Sequence, residues 1–119
     1  MKHLRAIDET KGNVVLAERV RLADSPLRRL IGLMGKRSLP DGEGLLLNPC
    51  SSIHTCCMRF PIDAIGLDSD MRVVVIDSKL RPWRIGSIRL RVRCVLELPA
   101  GVSAAAGVGA GDQLRFEPI

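Results

Sequence analysis

The sequence predicts a mainly β, α+β domain: an antiparallel barrel or sandwich of about seven short strands with one principal helix at about residues 26–35. Short runs of alternating or β-branched apolar residues recur along the chain, separated by Gly, Pro, Asp and Asn. A single segment combines a strong helix N-cap with apolar residues at helical spacing. The chain has no internal repeat, low-complexity tract or interdomain linker, so we expect residues 1–119 to form one domain.

The first two strands are predicted to form a hairpin. Apolar-rich runs at 4–7 and 14–22 flank the polar segment 8–13, which ends in Gly12-Asn13. The alternation in the second run is imperfect, which indicates a β-bulge.

The principal helix is predicted to begin after residue 24. Ser25 is a favourable N-cap, and Pro26 suits the first helical position. Apolar residues follow at positions i, i+3, i+4 and i+7: Leu27, Leu30, Ile31 and Met34. We expect Gly35 to close the helix in a left-handed conformation, whereas Gly32 inside it costs about 1 kcal/mol relative to Ala.

The middle of the chain is predicted to supply further strands. A short buried run at 44–47 precedes a segment at 52–58 that has the composition of an extended chain. The runs at 64–67 and 71–76 flank Asp68-Ser69-Asp70, which predicts a second hairpin.

The clearest strand is predicted at 88–98, where apolar residues alternate along the whole run. Its other face carries three arginines: Arg89, Arg91 and Arg93. Residues 103–106 are expected to form one helical turn capped by Gly107, and 112–116 a last strand.

Composition excludes several classes of protein. Hydrophobic residues make up 46% of the 119 residues, so a disordered chain is not expected. A folded chain of this length buries roughly two thirds of its extended surface, which is enough for a core. The N-terminus has no signal-peptide apolar region, and no apolar run approaches the ~20 residues of a membrane span, so we expect a cytoplasmic protein without membrane association. Aromatic residues, which stack on bases, are only 3% of the chain, so we expect no specific nucleic-acid binding. The net charge is +5, and we expect the arginine stripe at Arg89, Arg91 and Arg93 to be solvated or to bind anions weakly.

The densest chemistry lies between Cys50 and Asp63. His54, Cys56 and Cys57 fall inside this segment, but the Cys-x3-His-x-Cys spacing is not a recognised zinc knuckle. Catalysis by a Cys–His pair would require an activated thiol, and no helix N-terminus is placed to activate one. We therefore expect reduced thiols, no metal and no cofactor.

Three stretches together resemble the DUF192 (UPF0127) family. They are Gly32-Leu33-Met34 with Gly44-Leu45-Leu46-Leu47; Ser52-Ile53-His54-Thr55 through Met58-Arg59-Phe60-Pro61-Ile62-Asp63; and Val95-Leu96-Glu97-Leu98-Pro99-Ala100-Gly101 with Gly111-Asp112. The resemblance covers residues 15–116 and implies a small, mostly β domain of uncharacterised function. It places Met58, Arg59 and Asp63 in the middle motif, and Glu97 with Gly101 in the last. Relatives often carry bulky apolar residues where this chain has Cys56-Cys57, so thiol chemistry would be peculiar to this protein.

Two carboxylates, Asp63 and Glu97, lie in apolar surroundings where a charge is costly unless it is paired. Each could simply bind backbone donors or an arginine. The sharper hypothesis is a polar pocket near His54, Arg59, Asp63 and Glu97, with Met58 beside it, in a module that binds a small ligand or a protein partner. The alternative is a hydrolase-type enzyme that uses Asp63 and Glu97 as acid and base, for which the two carboxylates must lie within ~6 Å of each other.

Overall fold

The computed structural model describes residues 3–33, 36–51, 55 and 58–119. In this part of the chain, the elements in order are β1 His3–Asp8, β2 Val14–Ala23, α1 Pro26–Ile31, β3 Glu43–Leu47, β4 Ile62–Leu67, β5 Val73–Leu80, β6 Cys94–Pro99, α2 Val102–Ala106 and β7 Leu114–Pro118. The predicted mainly β class is confirmed. No helix among these described residues is long and apolar enough to cross a bilayer.

The seven strands form one sheet in the order β5-β4-β6-β3-β2-β1-β7. Neighbouring strands are antiparallel except β2 and β3, which run parallel. The sheet curls until its two edge strands meet at one end, where the amide of Val73 donates to the carbonyl of Asp112 at 2.8 Å. A bridge between Arg72 and Gln113 continues this contact. The domain is therefore a curled half-barrel.

The sheet has an inner and an outer face, each with its own apolar cluster. The inner cluster fills the half-barrel with residues from β1 to β7, and Val102 and Ala106 of α2 pack against it. The outer cluster covers the central strands with residues from outside the sheet, including Leu33 and Met58. Along β6 the two faces alternate: Leu96 belongs to the inner cluster, and Val95 belongs to the outer one.

Both predicted hairpins are confirmed. Strands β1 and β2 pair around a turn in which Gly12 and Asn13 have positive φ, and β2 carries the extra residues of the predicted bulge. Strands β4 and β5 pair around the 68–70 turn, where a carboxylate oxygen of Asp68 accepts from the amide of Asp70. The last helical turn also forms, with Gly107 as its C-cap at φ 73°.

The principal helix is shorter than predicted. Ser25 caps it through a hydrogen bond from the Arg28 amide, but the helix ends at Ile31 instead of continuing to residue 35. Gly32 leaves the helix at φ 47°, and its amide donates to the carbonyl of Arg28. Because glycine enters this conformation without steric cost, the interior glycine becomes the helix terminator. Gly35 lies outside the described residues.

The predicted strand at 88–98 is wrong in its first half. Pairing with β4 ends at the Cys94–Leu67 partners, followed by one bond from the Arg93 amide to the Leu67 carbonyl. Within the described chain, residues 88–92 pair with no strand. They form an irregular segment in which the Val92 amide donates to the carbonyl of Arg89. The three arginines therefore do not form one face of a strand. Of the predicted extended segment 52–58, the structure describes Thr55 and Met58, and neither lies in a strand.

Candidate functional site

The carboxylate of Asp63 joins three parts of the chain. Its two oxygens accept from the amide of Lys79 at 2.8 Å, from that of Gly101 at 3.1 Å and from that of Ser103 at 2.9 Å. The Ser103 hydroxyl donates to it as well. Asp63, near the start of β4, thus ties that strand to β5 and to the start of α2.

These hydrogen bonds decide the ionisation state of Asp63. Burial alone would raise the pKa of this carboxyl, but the donors from Ser103, Lys79 and Gly101 outweigh burial and lower it. Asp63 is therefore an ionised, fully hydrogen-bonded structural residue. Since its oxygens are occupied by donors of its own chain, it offers little to a ligand.

Glu97 is the opposite case. It is 2% exposed, and its Oε1 has no hydrogen-bond partner among the described residues. Burial raises the pKa of Glu97 to about 8, so the carboxyl is predominantly protonated at neutral pH. The end of α1 packs over it, because a Cβ placed on Gly32 would lie 3.9 Å from Glu97 Oε1.

The two predicted carboxylates do not meet. In the β4–β6 ladder, Asp63 is paired with Leu98, whereas Glu97 is paired with Ala64. Partners across a ladder lie on the same face of a sheet, so Asp63 lies on the inner face with Leu98 and Glu97 on the outer face with Ala64. The sheet separates them, and the predicted pocket shared by Asp63 and Glu97 does not form.

The neighbouring residues Met58 and Arg59 lie in different surroundings. Met58 is buried in the outer cluster, and Arg59 is exposed. His54 lies outside the described residues, as do Cys56 and Cys57. Burial raises the pKa of the Cys94 thiol to about 12, which makes it an inert core residue.

The outer face also carries a groove that the sequence analysis did not anticipate. It has a volume of about 440 Å³, within the range of small-molecule sites. The floor comes from β1, β2 and β3, and the wall from the segment that follows α1. Its lining residues are His3, Arg19, Arg21, Leu33, Lys36, Ser38, Leu39, Pro40 and Glu43.

Strand register brings the groove's charges together. His3 is paired with Arg21 across β1 and β2, and Arg19 lies beside Glu43 across β2 and β3. Arg21 lies beside Leu45 of the outer cluster, so the groove and Glu97 share one face of the sheet. Lys36 reaches the same groove from the opposite wall.

The groove cations form no ion pair with the described residues. Among the described residues, the ion pairs involve Arg5, Lys11, Arg28 and Arg115, and no carboxylate comes within 4 Å of Arg19, Arg21 or Lys36. Glu43 is the one acidic residue of the lining, so formal charges leave the groove positive. Such an arrangement can hold an anion beside the apolar side chains of Leu33 and Leu39.

Part of this groove could have been predicted from the sequence. Arg19 and Arg21 are two positions apart in β2, so both lie on one face of the strand. The position of Lys36 could not be read in the same way, because it depends on how the parallel β2–β3 crossover folds over the sheet.

Known proteins resemble this chain over most of its length. A UPF0127 protein of Pyrococcus horikoshii is 35% identical over 115 residues, covering 92% of this chain and 96% of that protein. A UPF0127 protein of Thermococcus gammatolerans is 36% identical over 115 residues, covering 93% of this chain and 74% of that protein.

Two crystal structures share the fold. A protein of unknown function from Novosphingobium aromaticivorans aligns with TM-score 0.83 and 25% identity, over 94% of this chain and 83% of that one. A protein titled a putative transcription regulator from Sinorhizobium meliloti aligns with TM-score 0.82 and 28% identity, over 97% and 92% of the two chains.

The sequence profile of DUF192, described as an uncharacterized ACR, matches residues 6–116. That span includes all strands from β2 to β6, both helices and nearly all of the groove lining. The chain belongs to the DUF192 family.

Proposed function

We propose that this protein is a binding module that holds a small anionic molecule in the groove on the outer face of its sheet. The observation that carries the proposal is the convergence of Arg19, Arg21 and Lys36 on a cavity of small-ligand size. In the part of the chain that the structure describes, none of the three has a carboxylate within 4 Å. Unpaired cations that line a concave surface attract an anion from solution and retain it when it reaches hydrogen-bond distance.

The lining defines the chemistry of the ligand. A guanidinium presents a planar fork of donors that fits a carboxylate or phosphate, and Arg19 and Arg21 supply two such groups. Lys36 adds a compact positive charge from the facing wall. Leu33 and Leu39 provide apolar surface beside them, so the proposed ligand has one or two anionic groups on a short apolar body.

Glu97 supports the groove indirectly in this proposal. It packs against Gly32, and the next residue, Leu33, lines the groove. With a pKa raised to about 8 by burial, the carboxyl is mostly uncharged at neutral pH and adds no second negative charge to that of Glu43 near the groove.

A hydrolase that uses Asp63 and Glu97 as acid and base receives no support from this arrangement. General acid–base catalysis requires both groups to reach the same substrate, and the sheet lies between these two. Asp63 is also occupied by four donors of its own chain. Binding an anion in the groove requires neither a shared site for the two carboxylates nor a free Asp63, so we favour binding over catalysis.

The test is a thermal-shift and calorimetric titration with inorganic phosphate, pyrophosphate, citrate and succinate, with glycerol as the neutral comparison. We expect at least one of these anions to raise the melting temperature, and Arg21→Gln to weaken its binding about tenfold or more. Arg37→Gln is the matched control, because Arg37 is an exposed cation next to Lys36 that does not line the groove. The proposal fails if none of these anions binds, or if both variants weaken binding equally.

A further inference from the structure

The irregular segment 81–93 exposes large apolar side chains to an unusual degree. Within eight residues, four such side chains are largely in solvent: Trp83 at 65%, Ile85 at 73%, Ile88 at 64% and Leu90 at 92%. Elsewhere in the described chain, large exposed apolar residues are confined to Val14, Val15 and the C-terminal Ile119. Isolated exposed residues are ordinary, but a contiguous group of them marks an interaction surface.

The same segment is strongly cationic. Five exposed arginines alternate with the apolar residues: Arg81, Arg84, Arg89, Arg91 and Arg93. No Asp or Glu occurs between Lys79 and Arg93. Three of the guanidiniums donate to carbonyls of the segment itself, and among described residues no carboxylate lies within 4 Å of any of the five.

The backbone of the segment is nevertheless fixed to the domain. Buried Thr55 exchanges backbone hydrogen bonds with Trp83 and Arg84, and its hydroxyl accepts from the Arg84 amide at 2.7 Å. Asp77 accepts from both the amide and the hydroxyl of Ser87, and Val92 is buried in the outer cluster. The exposed side chains are thus presented by an anchored scaffold, so binding a partner would cost little ordering entropy.

We propose that segment 81–93 docks this protein onto the surface of an anionic lipid bilayer. Ile85, Ile88 and Leu90 would enter the boundary between headgroups and acyl chains, where burial of apolar area is favourable. Tryptophan prefers this interfacial depth. The arginines would bind lipid phosphates, and each cation near an anionic surface strengthens partitioning about fivefold.

Charge and side-chain type together favour lipid over nucleic acid. Both partners offer phosphates to the arginines, but nucleic acid also requires flat groups for base stacking, and Trp83 is the one aromatic residue in the segment. Three exposed aliphatic side chains gain nothing from a sugar-phosphate backbone, whereas a bilayer buries them. The absence of a membrane-spanning run, which led us to expect no membrane association, does not bear on peripheral docking.

The single tryptophan of the chain, Trp83, is a built-in reporter. The experiment mixes the protein with vesicles of equal parts phosphatidylglycerol and phosphatidylcholine, and with pure phosphatidylcholine vesicles. We expect a blue shift of the emission and co-sedimentation with the anionic vesicles only. Leu90→Gln should weaken binding about tenfold and Arg91→Gln about fivefold.

Matched controls separate this surface from the rest of the protein. Ile119→Gln removes another exposed apolar side chain, and Arg37→Gln removes an exposed charge outside the segment, so both should bind vesicles as the parent does. Arg21→Gln should also retain vesicle binding, which keeps this result independent of the groove. The proposal is overturned by equal binding to both vesicle types, by absence of binding, or by binding to single-stranded DNA that exceeds vesicle binding and survives Leu90→Gln.

Discussion

The buried carboxyl of Glu97 should make the stability of this domain fall as pH rises through the neutral range. In the folded protein burial raises the pKa from 4.5 to about 8, whereas the unfolded chain retains the ordinary value. Between these two pH values the folded state therefore holds one proton more than the unfolded state. The stabilisation is complete below about pH 4.5 and is lost as pH rises to about 8, at about 1.4 kcal/mol per pH unit and roughly 5 kcal/mol in total.

The informative variant is Glu97→Gln, which keeps the shape of the side chain and cannot ionise. We expect urea unfolding at pH 5, 6, 7 and 8 to show a steep decline in the parent and a much flatter profile in the variant. The two profiles should cross or converge, because the amide adds buried donors that cost about 1–3 kcal/mol at pH 5 but avoids the ionisation penalty at pH 8.

Other carboxyls contribute equally to both proteins. Burial and the neighbouring Asp112 raise the pKa of Asp8 to about 6, so Asp8 adds a smaller decline of the same sign to each profile. Glu18→Gln, at an exposed site, should leave the steep decline intact. Parallel profiles for the parent and Glu97→Gln from pH 5 to 8 would refute the reasoning.

Two further predictions concern stability. Asp63→Asn should lower the free energy of unfolding by about 3 kcal/mol, because an amide group replaces an oxygen that accepts backbone and Ser103 donors. Exposed Asp41→Asn should change it by less than about 0.5 kcal/mol, and equal effects in urea titrations would contradict the structural role. Gly66→Ala should cost about 1–3 kcal/mol, since the new Cβ would lie 2.9 Å from two valine side chains. Gly109→Ala meets no atom within 4 Å and should be nearly neutral, so an equally large loss there would show that packing is not the cause.

Local sequence signals were sufficient to predict the two hairpins and the N-cap of α1. The 8–13 and 68–70 turns carry their own turn chemistry, and Ser25-Pro26 begins the helix where expected. The sequence pattern predicts Gly32 inside the helix. It ends the helix at φ 47°, at a position where an added Cβ would lie 3.9 Å from Glu97 Oε1, a neighbour that local sequence does not reveal.

Non-local pairing explains the larger errors. The alternation in 88–92 is as regular as that in β6, but β4 ends at Leu67, and no strand of the described chain continues beside those residues. The faces of Asp63 and Glu97 likewise depend on register between two strands. Alternation within each strand cannot supply that register, so the sequence placed both residues near one pocket that the sheet divides.

The proposal that the groove binds an anion is tested most directly by a titration followed through the backbone amide resonances of isotope-labelled protein. Inorganic phosphate, pyrophosphate and citrate serve as probes. We expect saturable shifts concentrated at Arg19, Arg21, Lys36 and Ser38, with none in β5 or α2. Absence of saturable shifts with all of these anions, or shifts confined to segment 81–93, would contradict the account.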